Sequence, residues 1–141
     1  MATRTSSAVW EGNLKEGKGT MKVGRGAYEG PFSFASRFED GTGTNPEELI
    51  GAAEAGCFSM ALSNGLTKAG HQPKQVHTVA KVNLEMTDAG PKITSIDLDC
   101  EGEVTGIDEA KFKEIAEQTK KACPVSVALS GTEIKLNARL K

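Results

Sequence analysis

The sequence predicts an α+β fold in which mostly antiparallel sheet surrounds one long, buried helix. Three observations carry this expectation. Several short segments alternate apolar and polar residues with the period of two of a strand. One run, residues 46–69, is apolar nearly all round and is bounded by helix-start and helix-stop residues. Glycine, at 16 of 141 residues, and Cys123-Pro124 punctuate the rest into the order β-β-β-α-β-β-α-α-β.

The first strand is expected at Ala8 to Leu14, with Trp10 as its large apolar residue, and the second at Thr20 to Val23. The third spans Tyr28 to Phe38, where Phe32, Phe34, Ser36 and Phe38 alternate on one face and Arg37 stands on the other. The segment EDGTGTN is a loop. Asn45 then caps the long helix, with Pro46 at the first helical position and Glu48 at the third in a capping-box arrangement. Gly70 ends it, after Lys68 in the last turn. Two strands follow. In the first, Ala80, Val82, Leu84 and Met86 share a face; in the second, Ile96, Leu98, Cys100 and Val104 do. Asp108 caps a second helix that buries Phe112, Ile115, Ala116 and Ala122. Cys123-Pro124 breaks it, because a residue before proline avoids helical geometry. Pro124 opens a short helix to Leu129, and EIKLNARL closes the chain as a strand.

At 141 residues the chain is long enough for one domain, 1–141, or for one that completes its core against a second copy of itself. A helix apolar on all sides is hard to cover in so short a chain, and a symmetric dimer would bury it. The net charge of −2 disfavours nucleic acid or an anionic membrane as partner. The start, MATRTSSAVW, has no apolar core of a secretory signal, and no stretch is apolar enough to span a bilayer. The cytoplasm is therefore the expected compartment, where disulfides tend to be transient or catalytic. Three cysteines, Cys57, Cys100 and Cys123, do not make a fully paired framework. With no CxxC, and with His71 and His77 distant in sequence, a zinc site is not expected.

Taken alone, Cys57 reads as a small buried hydrophobe, whose burial raises its pKa. To be reactive it needs a cation nearby, since it lies well beyond the first helical turn. Arg37 is the candidate, against its plain reading as a solvated strand residue. Glu47, otherwise a helix-start carboxylate, is the candidate to hold Arg37 in a fixed fork. Glu47 and Cys57 are ten positions, about 15 Å, apart on one helix. They cannot both contact one guanidinium from the same straight helix without a long reach, so Arg37 and Glu47, if they serve Cys57, are expected from the partner subunit. Cys123 reads either as a buried linker cysteine or as a resolving thiol at a helix break, able to condense with a sulfenic acid on Cys57. Strand alternation puts Cys100 in the core.

The segments GTNPEELIGAAEAGCFSMALS and ACPVS resemble the osmotically inducible protein C and organic hydroperoxide resistance (OsmC/Ohr) family. The likeness runs over nearly the whole chain, through VWEGNLKEGKGT, FASRFE and TGID, and these lean to the osmotically inducible branch. It implies an OsmC-like fold and an intertwined homodimer, with the long helices central, sheets wrapped around them and active sites at the subunit interface. It implies a peroxidatic Cys57 and a resolving Cys123, with the family's arginine at Arg37 and its glutamate at Glu47. Gly56 departs from the alanine more usual there.

The implied activity is thiol-dependent reduction of organic hydroperoxides, and of hydrogen peroxide less well, as an oxidative-stress defence. An interfacial pocket with residues such as Phe58 and Met60 would favour alkyl substrates. The implied reductant is a dithiol of lipoyl type, and no metal, flavin, haem or other cofactor is called for. The rivals are a non-catalytic thiol redox sensor and an apolar-ligand binding protein. A cysteine hydrolase is disfavoured, because no histidine can be put next to Cys57.

Overall fold

The computed structural model describes residues 1–141 and divides into two compact units, Met1–Leu49 and Ile50–Lys141. The first holds strands β1 (Ser6–Glu11), β2 (Lys18–Val23) and β3 (Tyr28–Phe32) and the short helix α1 (Phe34–Phe38). The three strands form an antiparallel sheet in the order β1-β2-β3. Helix α2 (Pro46–Lys68) begins in this unit and continues into the second. There it is followed by β4 (Gln72–Thr87), β5 (Gly90–Thr105), α3 (Glu109–Ala122), α4 (Pro124–Ala128) and β6 (Glu133–Leu140).

The expected strand from Tyr28 to Phe38 is corrected: it stops at Phe32, and its second half is α1. The cause is a reciprocal cap. The Ser33 hydroxyl accepts from the Ser36 backbone N–H at 3.1 Å, and the Ser36 hydroxyl accepts from the Ser33 N–H at 2.8 Å. That ties off the start of a helix as effectively as a serine–glutamate box. Phe34 and Phe38 fit both periods, because a four-residue spacing is two strand repeats and also one helical turn. Their rings meet across that turn, tilted at 43° with centroids 5.0 Å apart. Arg37 consequently lies in the last turn of α1 rather than on a strand face.

Asn45 caps α2 as expected, its side-chain oxygen accepting from the Glu48 N–H at 2.8 Å. Only half of the box forms. Glu48 accepts from the Thr44 hydroxyl at 3.0 Å instead of reaching back to the cap. At the far end Gly70 has φ +88°, and two bonds, Gly70 N–H to Thr67 at 3.0 Å and His71 N–H to Leu66 at 3.0 Å, close a Schellman motif. Only a residue free of the left-handed penalty makes that stop.

The second unit is a sheet of order β4-β5-β6, with β4 and β5 a long antiparallel hairpin and β6 parallel to β5. Parallel pairing requires a crossover, and α3 with α4 supplies it. The core packs Phe58, Leu62 and Leu66 of α2 with Ile96, Leu98 and Cys100 of β5, Phe112, Ile115 and Ala116 of α3, and Ala138 of β6. Gly102 of β5 leaves room for the Phe112 ring: a Cβ there would meet it at 2.5 Å. Two expected core positions are corrected. Met86 is 75% exposed, near the turn end of the β4–β5 hairpin and beyond a bulge at Thr94 of β5. Ala122 is exposed, and Thr119 takes the buried place one turn earlier by donating its hydroxyl to the Ile115 carbonyl at 2.8 Å.

Helix α2 is not buried on most sides within one chain. Phe58, Leu62 and Leu66 face the core, whereas Ala52, Ala53, Gly56, Met60 and Asn64 form an open stripe opposite. No helix is long and apolar enough to cross a membrane.

Candidate functional site

Four side chains stand together in the second unit, two from α2 and two from the start of α4. Cys57 lies on α2, partly exposed. Cys123 is 1% exposed at the α3–α4 junction, where it ends one helix and caps the next. Pro124 forces that junction by forbidding helical geometry at Cys123, whose ψ of 125° is extended. The turn carries the Cys123 sulfur to within 2.8 Å of the Cys57 sulfur, across 66 residues of chain. This is inside van der Waals contact and about 0.8 Å longer than the covalent separation in a disulfide. Both thiols are free, as is Cys100, which is fully buried in the core.

The second pair is Glu54, three residues before Cys57, and Ser126, three residues after Cys123. Glu54 is fully buried and Ser126 is 4% exposed. The Ser126 hydroxyl donates to Glu54 Oε1, while Glu54 Oε2 is buried with no hydrogen-bond partner. Neither residue belongs to the set expected from sequence. A signal was available: a lone carboxylate inside an apolar helical run, at the spacing that puts it one turn from the cysteine.

The electrostatics of Cys57 follow its burial, as the sequence leads one to expect without a cation beside it. Burial pushes the thiol up, and the hydrogen bond with Cys123 adds to that. The Val125 backbone N–H acts the other way, and the negative charges of a Cys123 thiolate and of Glu54 push up again. No cation figures among the main influences on this sulfur. Burial likewise raises the Cys100 thiol.

The expected arginine–glutamate pair does form, in the first unit. Arg37 Nη2 lies 2.8 Å and Nε 3.1 Å from Glu47 Oε1. Both donors converge on one oxygen, so the rest of the guanidinium fork stays available. The Arg37 side chain is 37% exposed against 8% for Glu47, which makes Glu47 the anchor and Arg37 the presented group. Glu47 Oε2 is buried without a hydrogen-bond partner. The guanidinium also lies 5.2 Å from the Phe38 ring centroid. It borders a cleft of about 230 Å³ walled by Trp10, Leu14, Phe32, Phe34 and Phe38. The apolar cavity beside the arginine is therefore built from these residues. Phe58, expected in such a lining, is fully buried in the core, and Met60 is exposed on α2.

Gly56 faces open space, with nothing within 4 Å of an added Cβ. His77 is exposed and His71 partly so. No group of three or more His, Cys, Asp or Glu side chains gathers as a metal site would.

Comparison with known proteins supplies the context. Residues 39–138 match the family model described as OsmC-like protein. The chain is 48% identical over 139 residues to Peroxiredoxin OsmC of Escherichia coli (strain K12), covering 98% of this chain and 96% of that one. Its fold matches the crystal structure of the organic hydroperoxide resistance protein OhrB of Bacillus subtilis, with a TM-score of 0.72, 24% identity, and 97% and 98% of the two chains covered. It also matches an organic hydroperoxide resistance protein OsmC from Legionella pneumophila, with a TM-score of 0.73, 23% identity and 99% of each chain covered.

Proposed function

The chain belongs to the OsmC-like family, and on that premise we propose that it is a peroxidase reducing organic hydroperoxides through Cys57 and Cys123. The relatives support the peroxidase activity. The observation that carries the two-cysteine chemistry is the 2.8 Å approach of the two sulfurs. Two free thiols at that separation form a disulfide with little backbone motion, which suits a redox cycle and not a structural bridge.

In the first step the Cys57 thiolate attacks the distal peroxide oxygen. The O–O bond breaks, the S–O bond forms, and the alkoxide leaves as alcohol after taking a proton. Cys57 becomes a sulfenic acid. In the second step the Cys123 thiol displaces the hydroxyl, an S–S bond forms and water departs with the Cys123 proton. An external dithiol, of lipoyl type in this reading, then reduces the disulfide by exchange.

The thiolate needs a positive neighbour, and none figures among the main influences on Cys57. We assign that role to Arg37 of the partner subunit, oriented by the partner's Glu47, in a homodimer that covers the open stripe of α2. The guanidinium would hold the thiolate ionised and stabilise charge developing on the leaving oxygen. The aromatic cleft beside Arg37 suits an alkyl substituent and gives hydrogen peroxide little to bind, which favours organic substrates. A cycle of reversible disulfide formation suits the reducing cytoplasm.

A redox sensor or an apolar-ligand binder would not turn over. The test is consumption of cumene hydroperoxide by the purified protein with dihydrolipoamide. Many turnovers per chain are expected, with Cys57→Ser inactive and Cys123→Ser reacting once without recycling. Full turnover by Cys57→Ser, or none by the unaltered chain, overturns the assignment.

A further inference from the structure

We propose that Glu54 and Ser126 are positioning residues for the condensation of Cys57 with Cys123, a hydrogen-bonded clamp that docks α4 on α2 and fixes the resolving thiol against the attacking one. The inference rests on the peroxidase reading above.

The geometry is a pair of parallel contacts. On α2, Glu54 and Cys57 are three residues apart and so share a face. Across from them Cys123 and Ser126 are again three apart. Cys57 meets Cys123, and Glu54 meets Ser126. Helix α4 has only five residues, Pro124–Ala128, and its cap at Cys123 has no side-chain hydrogen bond. So short a helix has little cooperativity of its own, and its position depends on what holds it. The Glu54–Ser126 bond joins it to α2 inside the molecule, with both residues almost wholly removed from water.

A fully buried carboxylate is costly unless it is hydrogen-bonded. Glu54 nevertheless sits here, with one oxygen satisfied by Ser126 and the other unpartnered. An apolar residue would fill that place in the helix more cheaply. What a carboxylate adds is a directed bond and a charge, and both bear on the thiols. The bond registers α4. The charge opposes a thiolate on Cys57, where burial, the Cys123 hydrogen bond and the Cys123 charge act in the same sense and the Val125 N–H acts against them. A dithiol that resists ionisation gains when it becomes a neutral disulfide, so the charge favours the second step over the resting thiolate.

The step concerned is the one in which Cys57–SOH and Cys123–SH give the disulfide and water. A sulfenic acid that is not resolved promptly meets a second peroxide and passes to sulfinic acid. Alignment of Cys123 therefore decides between recycling and inactivation.

Ser126→Ala and Glu54→Gln separate bond from charge, because glutamine keeps an acceptor for Ser126 and loses the negative charge. With one equivalent of cumene hydroperoxide, sulfenic acid formation is followed by trapping and disulfide formation by mass spectrometry. Ser126→Ala is expected to form sulfenic acid at the wild-type rate and disulfide at least about tenfold more slowly, with sulfinic acid accumulating at excess peroxide. Glu54→Gln is expected to keep disulfide formation within about threefold of wild type and to lower the Cys57 pKa read from thiolate absorbance.

Disulfide formation by folded Ser126→Ala at the wild-type rate, with no extra sulfinic acid, overturns the clamp. If Ser126→Ala does not fold, Glu54→Gln decides: an unshifted Cys57 pKa, or loss of fast resolution despite the retained acceptor, overturns the proposal. Failure of the unaltered protein to oxidise Cys57 at all would instead remove the peroxidase reading on which it stands.

Discussion

Burial, Cys123 and Glu54 all oppose ionisation of Cys57 within one chain, yet attack on a peroxide requires the thiolate. The sign is plain for a thiol: a raised pKa favours the protonated form in the folded chain. Its contribution to stability is then complete below the pKa of the unfolded thiol and is lost as pH rises through the folded value. In the proposed mechanism it is Arg37 of the partner subunit that reverses this preference at neutral pH. Titration of Cys57 by thiolate absorbance in the assembled protein is expected to give a value below that of a free thiol, and Arg37→Met is expected to raise it. Peroxide reduction by Arg37→Met should fall by about 100-fold in kcat/KM, the scale of losing a preorganised charge donor. A wild-type Cys57 that titrates at or above a free thiol contradicts this role. Glu47→Gln keeps an oxygen for the guanidinium but not the charge, so its loss should be smaller.

Helix α1 depends on the paired hydroxyls of Ser33 and Ser36. Ser36 accepts from the Ser33 N–H and donates to the Thr44 carbonyl at 2.7 Å, at 6% exposure. Five residues cannot hold a helix by propensity alone, so Ser36→Ala should cost about 1–2 kcal/mol in urea unfolding. It should also reduce activity by displacing Arg37. In the second unit, Gly102 and Phe112 form a fitted pair. Gly102→Ala would force a methyl against the ring, and about 1–3 kcal/mol of overpacking is expected. Phe112→Ala should cost about 3–5 kcal/mol through the cavity it leaves. Both are read by denaturant midpoints, and unchanged midpoints would contradict the packing.

Across the whole molecule, the open stripe of α2 is what the chain leaves unfinished. Met60, 75% exposed beside Gly56 and the alanines, is an apolar surface on a helix whose opposite side is core. In the homodimer reading this stripe is the interface. Sedimentation velocity is expected to give a dimer for the wild type and a monomer for Met60→Glu, because a charge buried there would be unpaired. That monomer should still form the Cys57–Cys123 disulfide with diamide, since both thiols lie in one chain, but should lose peroxide reduction. A dimeric and fully active Met60→Glu would overturn the interface.

Much of this was legible in the residues. Asn45-Pro46 and Gly70 bracketed the long helix because caps and left-handed stops are local chemistry. Cys123-Pro124 marked a break because proline constrains its own neighbour. The FxFASRF run was not decidable, because phenylalanines four apart satisfy a strand and a helix alike; the Ser33–Ser36 pair settled it. The approach of Cys57 to Cys123, the burial of Glu54 against Ser126 and the upward push on the Cys57 thiol belong to the tertiary structure alone. Distance, dielectric and charge across 66 residues of chain exist only once α4 has docked on α2, and no local pattern encodes them.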